Sequence, residues 1–277
     1  MKNKKPLPQF SFYLAVALFV GMALFPFLWQ ISTSLKGPEQ IFKMPPEWIP
    51  SRLYFENYRA VFAGRPFHRN LLNSFLTAGS TTAFSVFVAS FCAYALARLR
   101  FRFKGLILSL VLSVSMFPAI AIISPLFLFM KEMHLINTYA ALILPYTTFT
   151  MPLSIWILTS FFREIPFELE EAAKVDGCTP FQAFRQVIIP LAAPGLFTTA
   201  ILVFISAWNE FLFALTFTTD DAARTVPVAI AMFPGLHEIP WAEIAAASVV
   251  VTMPLVALVL LFQRRIIAGL TSGAVKG

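Results

Sequence analysis

Long apolar runs, separated by short polar segments, are the feature that most limits how this chain can fold. A helix needs about 20 residues to cross the roughly 30 Å of hydrocarbon in a bilayer. The chain is 58% hydrophobic and only 13% charged, which is well below the charged fraction of about 25% that is typical of soluble domains. The sequence therefore predicts an all-α polytopic membrane protein. Six runs are long enough to be transmembrane helices: residues 10–32, 71–97, 106–130, 138–161, 195–218 and 241–262.

The distribution of basic residues predicts which segments face the cytoplasm. Six spans place both termini on one side, and cytoplasmic segments of membrane proteins are enriched in Lys and Arg. With the N-terminus inside, 13 of the 21 basic residues fall in inner segments, and Arg98, Arg100, Arg102 and Lys104 cluster directly after the second run. We therefore expect both termini in the cytoplasm. The net charge of +7 is spread along the membrane borders, which does not favour a nucleic-acid-binding surface.

The connection between the fourth and fifth runs, residues 163–190, predicts two short helices joined by a turn. It contains the polar stretch EAAKVDGCTPFQAFRQVIIP. Pro166 suits the first position of a helix, and Gly177 suits the left-handed residue that ends one. The segment Thr179–Gln182 fits a capping box that opens a second helix, and Pro190 limits that helix. We call residues 163–190 the hairpin.

Apolar residues line one face of each hairpin helix, and two interpretations of these faces remain open. Such a face can dock on a partner protein, or it can pack on the ends of the chain's own membrane helices. The helical spacing is the same in both cases. The two faces consist of Leu169, Ala172 and Ala173 on the first helix, and of Phe181, Phe184, Val187 and Ile188 on the second.

The hairpin resembles the EAA loop of the permease subunits of ABC importers. It carries Glu171-Ala172-Ala173, then Gly177, and it ends in Val187-Ile188-Ile189-Pro190, where the family usually has Ile, any residue, Leu and Pro. These departures replace apolar residues by other apolar residues. The resemblance implies the type I importer permease fold, with six transmembrane helices and a cytoplasmic coupling helix that docks in a groove of an ATPase subunit. The docking residues that it implies are Glu171, Ala172, Ala173, Asp176, Gly177, Phe181 and Phe184.

Other segments are similar to the second permease subunit of carbohydrate importers of the maltose type, and especially to trehalose permeases. They include FENYRAVF, RNLLNS, AYALARLRF, FFREIP, PLAAPGL, AWNE and QRRIIAGLTSGAVKG. The resemblance implies a single permease domain in the plasma membrane of a bacterium or archaeon, importing trehalose, maltose or another solute of this family such as sucrose or glycerol phosphate. The partners that it implies are a sister permease, two copies of a cytoplasmic ATPase and an extracytoplasmic sugar-binding protein.

The C-terminal tail, residues 263–277, is a further contact that the resemblance implies. In the maltose-type family the end of this subunit reaches between the two ATPases, which here points to Gly269, Thr271, Ser272 and Gly273. The tail only partly resembles a phosphate-binding loop, because Ala274 stands where a second glycine is needed. We therefore expect ATP and Mg²⁺ to be bound by the partner ATPases and no cofactor to be bound by this chain.

Trp208, Asn209 and Glu210 form the candidate substrate site in the fifth run. A charge at the centre of a membrane helix costs about 2.5–3.5 kcal/mol on insertion scales and rarely faces lipid. Aromatic, amide and carboxylate groups suit sugar hydroxyls, and the resemblance implies that this span lines the pathway. Alternatively, Asn209 and Glu210 join the span to a neighbouring helix.

The segments on the other side of the predicted membrane suggest a surface helix and a partner loop. Residues 44–62 predict an amphipathic helix on the outer membrane surface. Residues 218–240 either approach the binding protein, as the family resemblance implies, or form an irregular connector.

Enzymatic and ion-driven alternatives have little support in the sequence. The three histidines His68, His134 and His237 lack metal-ligand spacing, so we expect no metal site, and no clustered nucleophile and base predict catalysis. A secondary carrier driven by an ion gradient often shows internal repeats with broken helices and ionisable groups near the membrane midplane. This sequence offers one buried acid and the hairpin, which favours the importer.

Overall fold

The computed structural model describes residues 9–233 and 239–272, and the regular structure of these residues is helical. The helices are α1 Gln9–Ser34, α2 Pro38–Ile41, α3 Glu56–Ala63, α4 Phe67–Arg98, α5 Lys104–Val114, α6 Ala119–Glu132, α7 Tyr139–Glu164, α8 Phe167–Val175, α9 Pro180–Ala183, a π-helical turn Phe184–Ile188, α10 Ile189–Leu191, α11 Ala193–Trp208, α12 Leu212–Phe217, α13 Val226–Ala231 and α14 Trp241–Ser272.

Within residues 9–233 and 239–272, four helices are long and apolar enough to cross a membrane: α1, α4, α7 and the first part of α14. Two further pairs of helices pass the same test only when each bent pair is taken as one span. The axes of α5 and α6 differ by 82°, and those of the second hairpin helix and α11 differ by 75°. The described residues therefore contain four candidate membrane spans, or up to six if each bent pair is counted as one span.

The third apolar run, expected as one helix over residues 106–130, is two helices in the structure. The chain leaves the helical conformation after Val114 and resumes it at Ala119, with Pro118 as the N-cap in an extended conformation. A proline disfavours helical geometry at the residue before it and donates no hydrogen bond, which explains a break at this point. Pro125, Pro145 and Pro152 lie inside helices, as membrane helices allow.

The fifth run, expected over residues 195–218, is also divided. Helix α11 begins at Ala193 and ends at Trp208, and α12 begins at Leu212. The three residues between them are therefore a second interruption inside an apolar segment. Hydropathy averages over such a break, because the residues around it are as apolar as those of a continuous helix.

Residues 67–229 and 254–277 form one compact unit, in which α4, α7 and α11 pack together. The core between the helices contains small residues, including Ala78, Ala89 and Ala93, which are fully buried. The hydroxyls of Ser85 on α4 and Thr150 on α7 are hydrogen-bonded at 3.0 Å. Small residues allow membrane helices to approach closely, and short hydroxyl bonds then join them.

Residues 1–66 and 230–253 form the other unit. Of residues 44–62, where we predicted an amphipathic surface helix, only residues 56–62 are helical, as part of α3. Helix α3 is attached to the end of α1. The Asn57 amide donates to the carbonyl oxygens of Ser34 and Lys36, both at 2.9 Å. The Lys36 ammonium lies 4.0 Å from the centroid of the Trp29 ring. Burial lowers the pKa of Lys36, and the nearby Glu47 carboxylate partly opposes that effect.

Candidate functional site

The turn of the hairpin has the backbone geometry that its glycine predicts. Gly177 has φ +92°. Two backbone hydrogen bonds close the C-terminal end of α8. The Gly177 N–H donates to the Lys174 carbonyl at 3.1 Å, and the Cys178 N–H donates to the Ala173 carbonyl at 2.9 Å. This pair of bonds is the Schellman arrangement. Pro166, which we expected to be the first helical residue, is instead the N-cap of α8, and the helix begins at Phe167.

The start of the second hairpin helix is also as predicted. The Gln182 N–H donates to Thr179 Oγ1 at 3.3 Å, and the Thr179 N–H donates to Gln182 Oε1 at 2.7 Å. These two bonds are a complete capping box.

Pro190 does not end the second helix as the sequence suggested. A π-helical turn, Phe184–Ile188, precedes it, and the helix continues as α10 to Leu191. Proline removes one α-helical N–H donor, and a π turn changes the hydrogen-bond spacing directly before that position. The change of direction therefore follows at Ala192, before α11 begins.

The two apolar faces of the hairpin divide between the chain's own core and its surface. Phe184 is 6% exposed, and its ring centroid lies 4.9 Å from that of Tyr94 and 5.2 Å from that of Phe91. Ala173 and Ile188 are buried as well. Ala173 and Phe184, which we expected to be docking contacts, are thus unavailable at the surface, because both fill space inside the chain.

The remaining predicted docking residues lie at the surface of the hairpin. Phe181 is 59% exposed, and Glu171, Ala172, Asp176 and Gly177 are exposed too. Val175, beside them, is 87% exposed. Packing on the chain's own helices therefore holds for the inner face, while the outer face presents acidic and apolar side chains together.

A buried polar network connects the hairpin to α4, and the sequence did not reveal it. Arg98 belongs to the basic cluster that follows the second apolar run, yet its side chain is only 1% exposed. Its Nε lies 3.8 Å from Glu170 Oε2. The Tyr94 hydroxyl donates to Glu170 Oε1 at 2.9 Å, and Lys174 Nζ contacts the same oxygen at 2.9 Å. We call Tyr94, Arg98, Glu170 and Lys174 the Arg98 network.

Glu210 caps a helix at the break between α11 and α12. Its two carboxylate oxygens accept hydrogen bonds from the backbone N–H groups of Phe213, at 2.9 Å, and Ala214, at 3.2 Å. These N–H groups belong to the first turn of α12, where no helical carbonyl is available to them. The carboxylate thus stabilises a helix end inside an apolar segment.

The neighbours of Glu210 differ in how accessible they are. Trp208, expected to offer an aromatic face to a sugar, is 2% exposed, and its ring stacks on Phe204 at 5.6 Å. Asn209 is exposed and donates to the Ile205 carbonyl at 2.8 Å. The hydroxyl of Tyr146 is buried near Glu210 and has no hydrogen-bond partner among the described residues. Asn209 and the partly exposed Glu210 are therefore the accessible polar groups of the candidate substrate site.

The loop after α12, residues 218–226, is hydrogen-bonded to α4. The Asn73 amide donates to the carbonyls of Ala222, at 3.2 Å, and Arg224, at 3.0 Å. The Tyr139 hydroxyl donates to Asn73 Oδ1 at 2.7 Å. The loop carbonyls thus find partners on α4, as buried backbone groups require. The two asparagines of the segment RNLLNS were the available signal, because Asn70 also donates to Arg224.

The predicted tail contacts lie partly within the structure. The backbone of Gly269, Thr271 and Ser272 continues α14, while Gly273 lies outside the described residues, as does His237. In the residues that are described, no group of three His, Cys, Asp or Glu side chains is arranged to bind a metal.

Comparison with known proteins identifies the family. Residues 85–271 match the family described as the inner membrane component of binding-protein-dependent transport systems. The chain belongs to this family. The match includes the whole hairpin, the Arg98 network and the break at Glu210.

Two curated members of this family match nearly the whole chain. The trehalose transport system permease protein SugB of Mycobacterium tuberculosis is 52% identical over 262 residues, covering 94% of this chain and 95% of that protein. The trehalose/maltose transport system permease protein MalG of Thermococcus litoralis is 45% identical over 278 residues, covering 99% of both.

A chain of one solved bacterial transporter has the same fold as this chain. It belongs to a bacterial ABC transporter that imports the acidic polysaccharide alginate. The TM-score is 0.77 at 22% identity, and the match covers 94% of this chain and 99% of that one. The type I importer permease fold predicted from the sequence is therefore confirmed.

Proposed function

We propose that this chain is one permease half of an ATP-driven importer for a di- or oligosaccharide of the trehalose and maltose type. Its similarity to two trehalose permeases over nearly their full length supports the solute class. The outer face of the hairpin is the observation that carries the mechanism. There Glu171, Asp176 and Phe181 are exposed beside a turn whose geometry is fixed by Gly177 and by the capping box at Thr179.

The hairpin is the contact with a cytoplasmic ATPase subunit, and both termini of the chain are cytoplasmic. An exposed aromatic ring on the same hairpin as exposed acidic side chains suits a groove with an apolar floor and a basic rim. Two ATPase subunits bind and hydrolyse ATP with Mg²⁺, and this chain performs no bond chemistry. The tail residues Gly269, Thr271, Ser272 and Gly273 extend towards these subunits.

The pathway for the solute runs past the break between α11 and α12. Interrupted helices are tolerated at membrane depth only where they are buried in protein or line a water-filled cavity. Asn209 and Glu210 offer an amide and a carboxylate there, and both are at least partly exposed. A sister permease supplies the other half of this pathway. The loop of residues 218–226, which is hydrogen-bonded to α4, is the contact for the sugar-binding protein.

Reconstitution tests the proposed function directly. The complex, with its sister permease, ATPase and binding protein, is placed in liposomes, and uptake of labelled trehalose, maltose, sucrose and glycerol phosphate is measured. We expect ATP-dependent uptake of trehalose or maltose, and its loss when the ATPase carries an inactivating substitution. Uptake that follows an ion gradient without ATP would instead identify a secondary carrier.

A paired variant tests the docking face in the same preparation. Glu171→Lys places a positive charge on the exposed face, and Glu168→Lys makes the same change at another exposed position of α8. We expect Glu171→Lys to reduce co-purification of the ATPase, because a reversed charge at an interface weakens association, and Glu168→Lys to have a smaller effect. An equal response to both variants would remove Glu171 from the contact.

A further inference from the structure

Arg98 reaches the junction of three structural elements. It is the last residue of α4, and its Nη2 donates to the carbonyl of Ile165 at 2.6 Å, where α7 ends. Its guanidinium carbon lies 4.4 Å from the ring centroid of Phe167, the first residue of α8. Its Nε approaches Glu170, in the middle of α8. One buried side chain thus contacts the end of α7, the start of α8 and the interior of α8.

Glu170 and Glu171 are consecutive on α8 but lie in opposite environments. The Glu170 side chain is 6% exposed and belongs to the Arg98 network, whereas Glu171 is exposed. Neighbouring residues of a helix are about 100° apart around its axis, so one helix can place one carboxylate inside and the next outside. The proposed docking residue is therefore directly attached to a residue anchored on α4.

The Arg98 and Glu170 side chains of the network are buried and incompletely hydrogen-bonded, whereas the Lys174 side chain is 47% exposed. Glu170 Oε1 has two close partners, Tyr94 and Lys174, while Oε2 has only the 3.8 Å approach of Arg98. Arg98 Nε and Nη1 and Glu170 Oε2 have no hydrogen-bond partner within the described residues. In a low-dielectric interior the energy of the Arg98–Glu170 pair depends strongly on distance. Separating the pair leaves the Arg98 charge buried without a counter-charge, while Glu170 keeps Lys174. Rotation of the hairpin on α4 therefore carries an electrostatic cost, because it leaves Arg98 buried without a carboxylate.

We propose that Arg98 and Glu170 are positioning residues that transmit the movement of the hairpin into α4, so that α4 and the junction of α7 with α8 move as one body. This inference rests on the proposed function, since it assumes that an ATPase moves the outer face of the hairpin. Helix α4 packs on α7 and α11, which carries the candidate pathway residues at its end. The Arg98 network thus lies between the docking face and the pathway.

Transport stoichiometry tests the transmission with three variants. Glu170→Gln leaves Arg98 without a carboxylate, and Arg98→Gln leaves Glu170 paired with Lys174 alone. The double variant removes both charges and leaves two amides that can pair. We expect the sugar imported per ATP hydrolysed to fall about tenfold in each single variant, which is within the range of allosteric couplings. If the single variants also lower the amount of complex in the membrane, the double variant is expected to restore that amount but not this ratio.

Glu168→Gln is the matched control, because it changes the same residue type at an exposed position of the same helix. We expect it to leave the ratio unchanged. A normal ratio in both single variants overturns the inference, and so does a double variant that recovers both the protein level and the ratio, which is the result of a purely structural pair. If the parent complex itself neither binds an ATPase nor imports sugar, it is the proposed function that fails.

A second measurement needs no transport. Limited trypsin digestion of the purified subunit reports how firmly the hairpin is held, since Arg163 and Arg185 are exposed on either side of α8. We expect cleavage at these sites to be several-fold faster in Glu170→Gln than in Glu168→Gln, because the anchor on α4 is weakened. Equal cleavage rates would show that the network does not hold the hairpin, whatever the complex transports.

Discussion

Gly195 and Phe161 are packed so closely that a Cβ atom on Gly195 would lie 2.4 Å from Cγ of the Phe161 ring. Gly195 is in the first turn of α11, and Phe161 is near the end of α7. The obstructing atom belongs to the base of the ring, which cannot move without a new rotamer or a shift of the backbone. The absence of a side chain at Gly195 therefore sets how closely α11 approaches α7.

We predict that Gly195→Ala destabilises the subunit by about 1–3 kcal/mol, the usual range for overpacking a core. The thermal midpoint in detergent measures the effect. Gly79→Ala is the control, because a Cβ at Gly79 would meet nothing within 4 Å. Adding Phe161→Leu should restore part of the stability. Equal midpoints for Gly195→Ala and Gly79→Ala would contradict the close packing.

The hairpin turn depends on backbone conformation rather than on space. A Cβ at Gly177 would meet nothing within 4 Å, but the φ of +92° is unfavourable for residues with a side chain. We predict that Gly177→Val costs of the order of 1–2 kcal/mol and lowers the sugar imported per ATP hydrolysed, because α9 changes direction. Gly177→Asn should retain more of this ratio, since Asn tolerates left-handed geometry. Normal transport by Gly177→Val would show that the turn angle is unimportant.

Phe181 and Phe184, the two phenylalanines of the second hairpin helix, should respond differently to the same substitution. Phe184→Ala empties a buried site, which typically costs about 3–5 kcal/mol, so we expect little folded subunit in the membrane. Phe181→Ala changes an exposed ring, so we expect normal membrane levels but weaker co-purification of the ATPase. Quantitative blotting and co-purification separate these effects. Equal membrane levels for both variants would contradict the burial of Phe184.

Glu210 should reveal its helix-capping role through a graded series. Its two oxygens each accept one N–H group, so Gln retains one acceptor and Ala retains none. Loss of a helix cap costs about 0.5–2 kcal/mol, and we predict thermal midpoints in the order Glu, Gln, Ala. If Glu210 also lines the pathway, Glu210→Gln lowers uptake by more than its midpoint implies. Identical midpoints in the series would exclude the cap.

Local rules predicted those parts of the site that depend on local contacts. The capping box at Thr179 and the left-handed Gly177 involve residues that are at most five apart, so their pattern is visible in the sequence. The burial of Arg98 depends on a carboxylate that is far away in the chain, and the basic segment that follows α4 gives no sign of it. The break before α12 is likewise hidden, because hydropathy is insensitive to the hydrogen bonds of Glu210.

Asn73 offers a final test, at the loop of residues 218–226. Its amide donates to two loop carbonyls, while its oxygen accepts a bond from Tyr139. Asn73→Asp keeps the size and the acceptor but removes both donors, leaving those carbonyls opposite a carboxylate. Unsatisfied buried polar groups cost about 1–3 kcal/mol each, so we predict that the loop detaches from α4 and that proteolysis near Arg224 accelerates.

The second readout for Asn73→Asp is the stimulation of ATP hydrolysis by the binding protein, which should fall if the loop is its docking surface. Asn209→Asp is the control for the cleavage assay, because among the described residues the Asn209 amide donates to Ile205 of its own helix. If Asn73→Asp and the parent are cleaved at the same rate, the amide does not hold the loop. Faster cleavage with normal stimulation would instead place the binding-protein contact elsewhere.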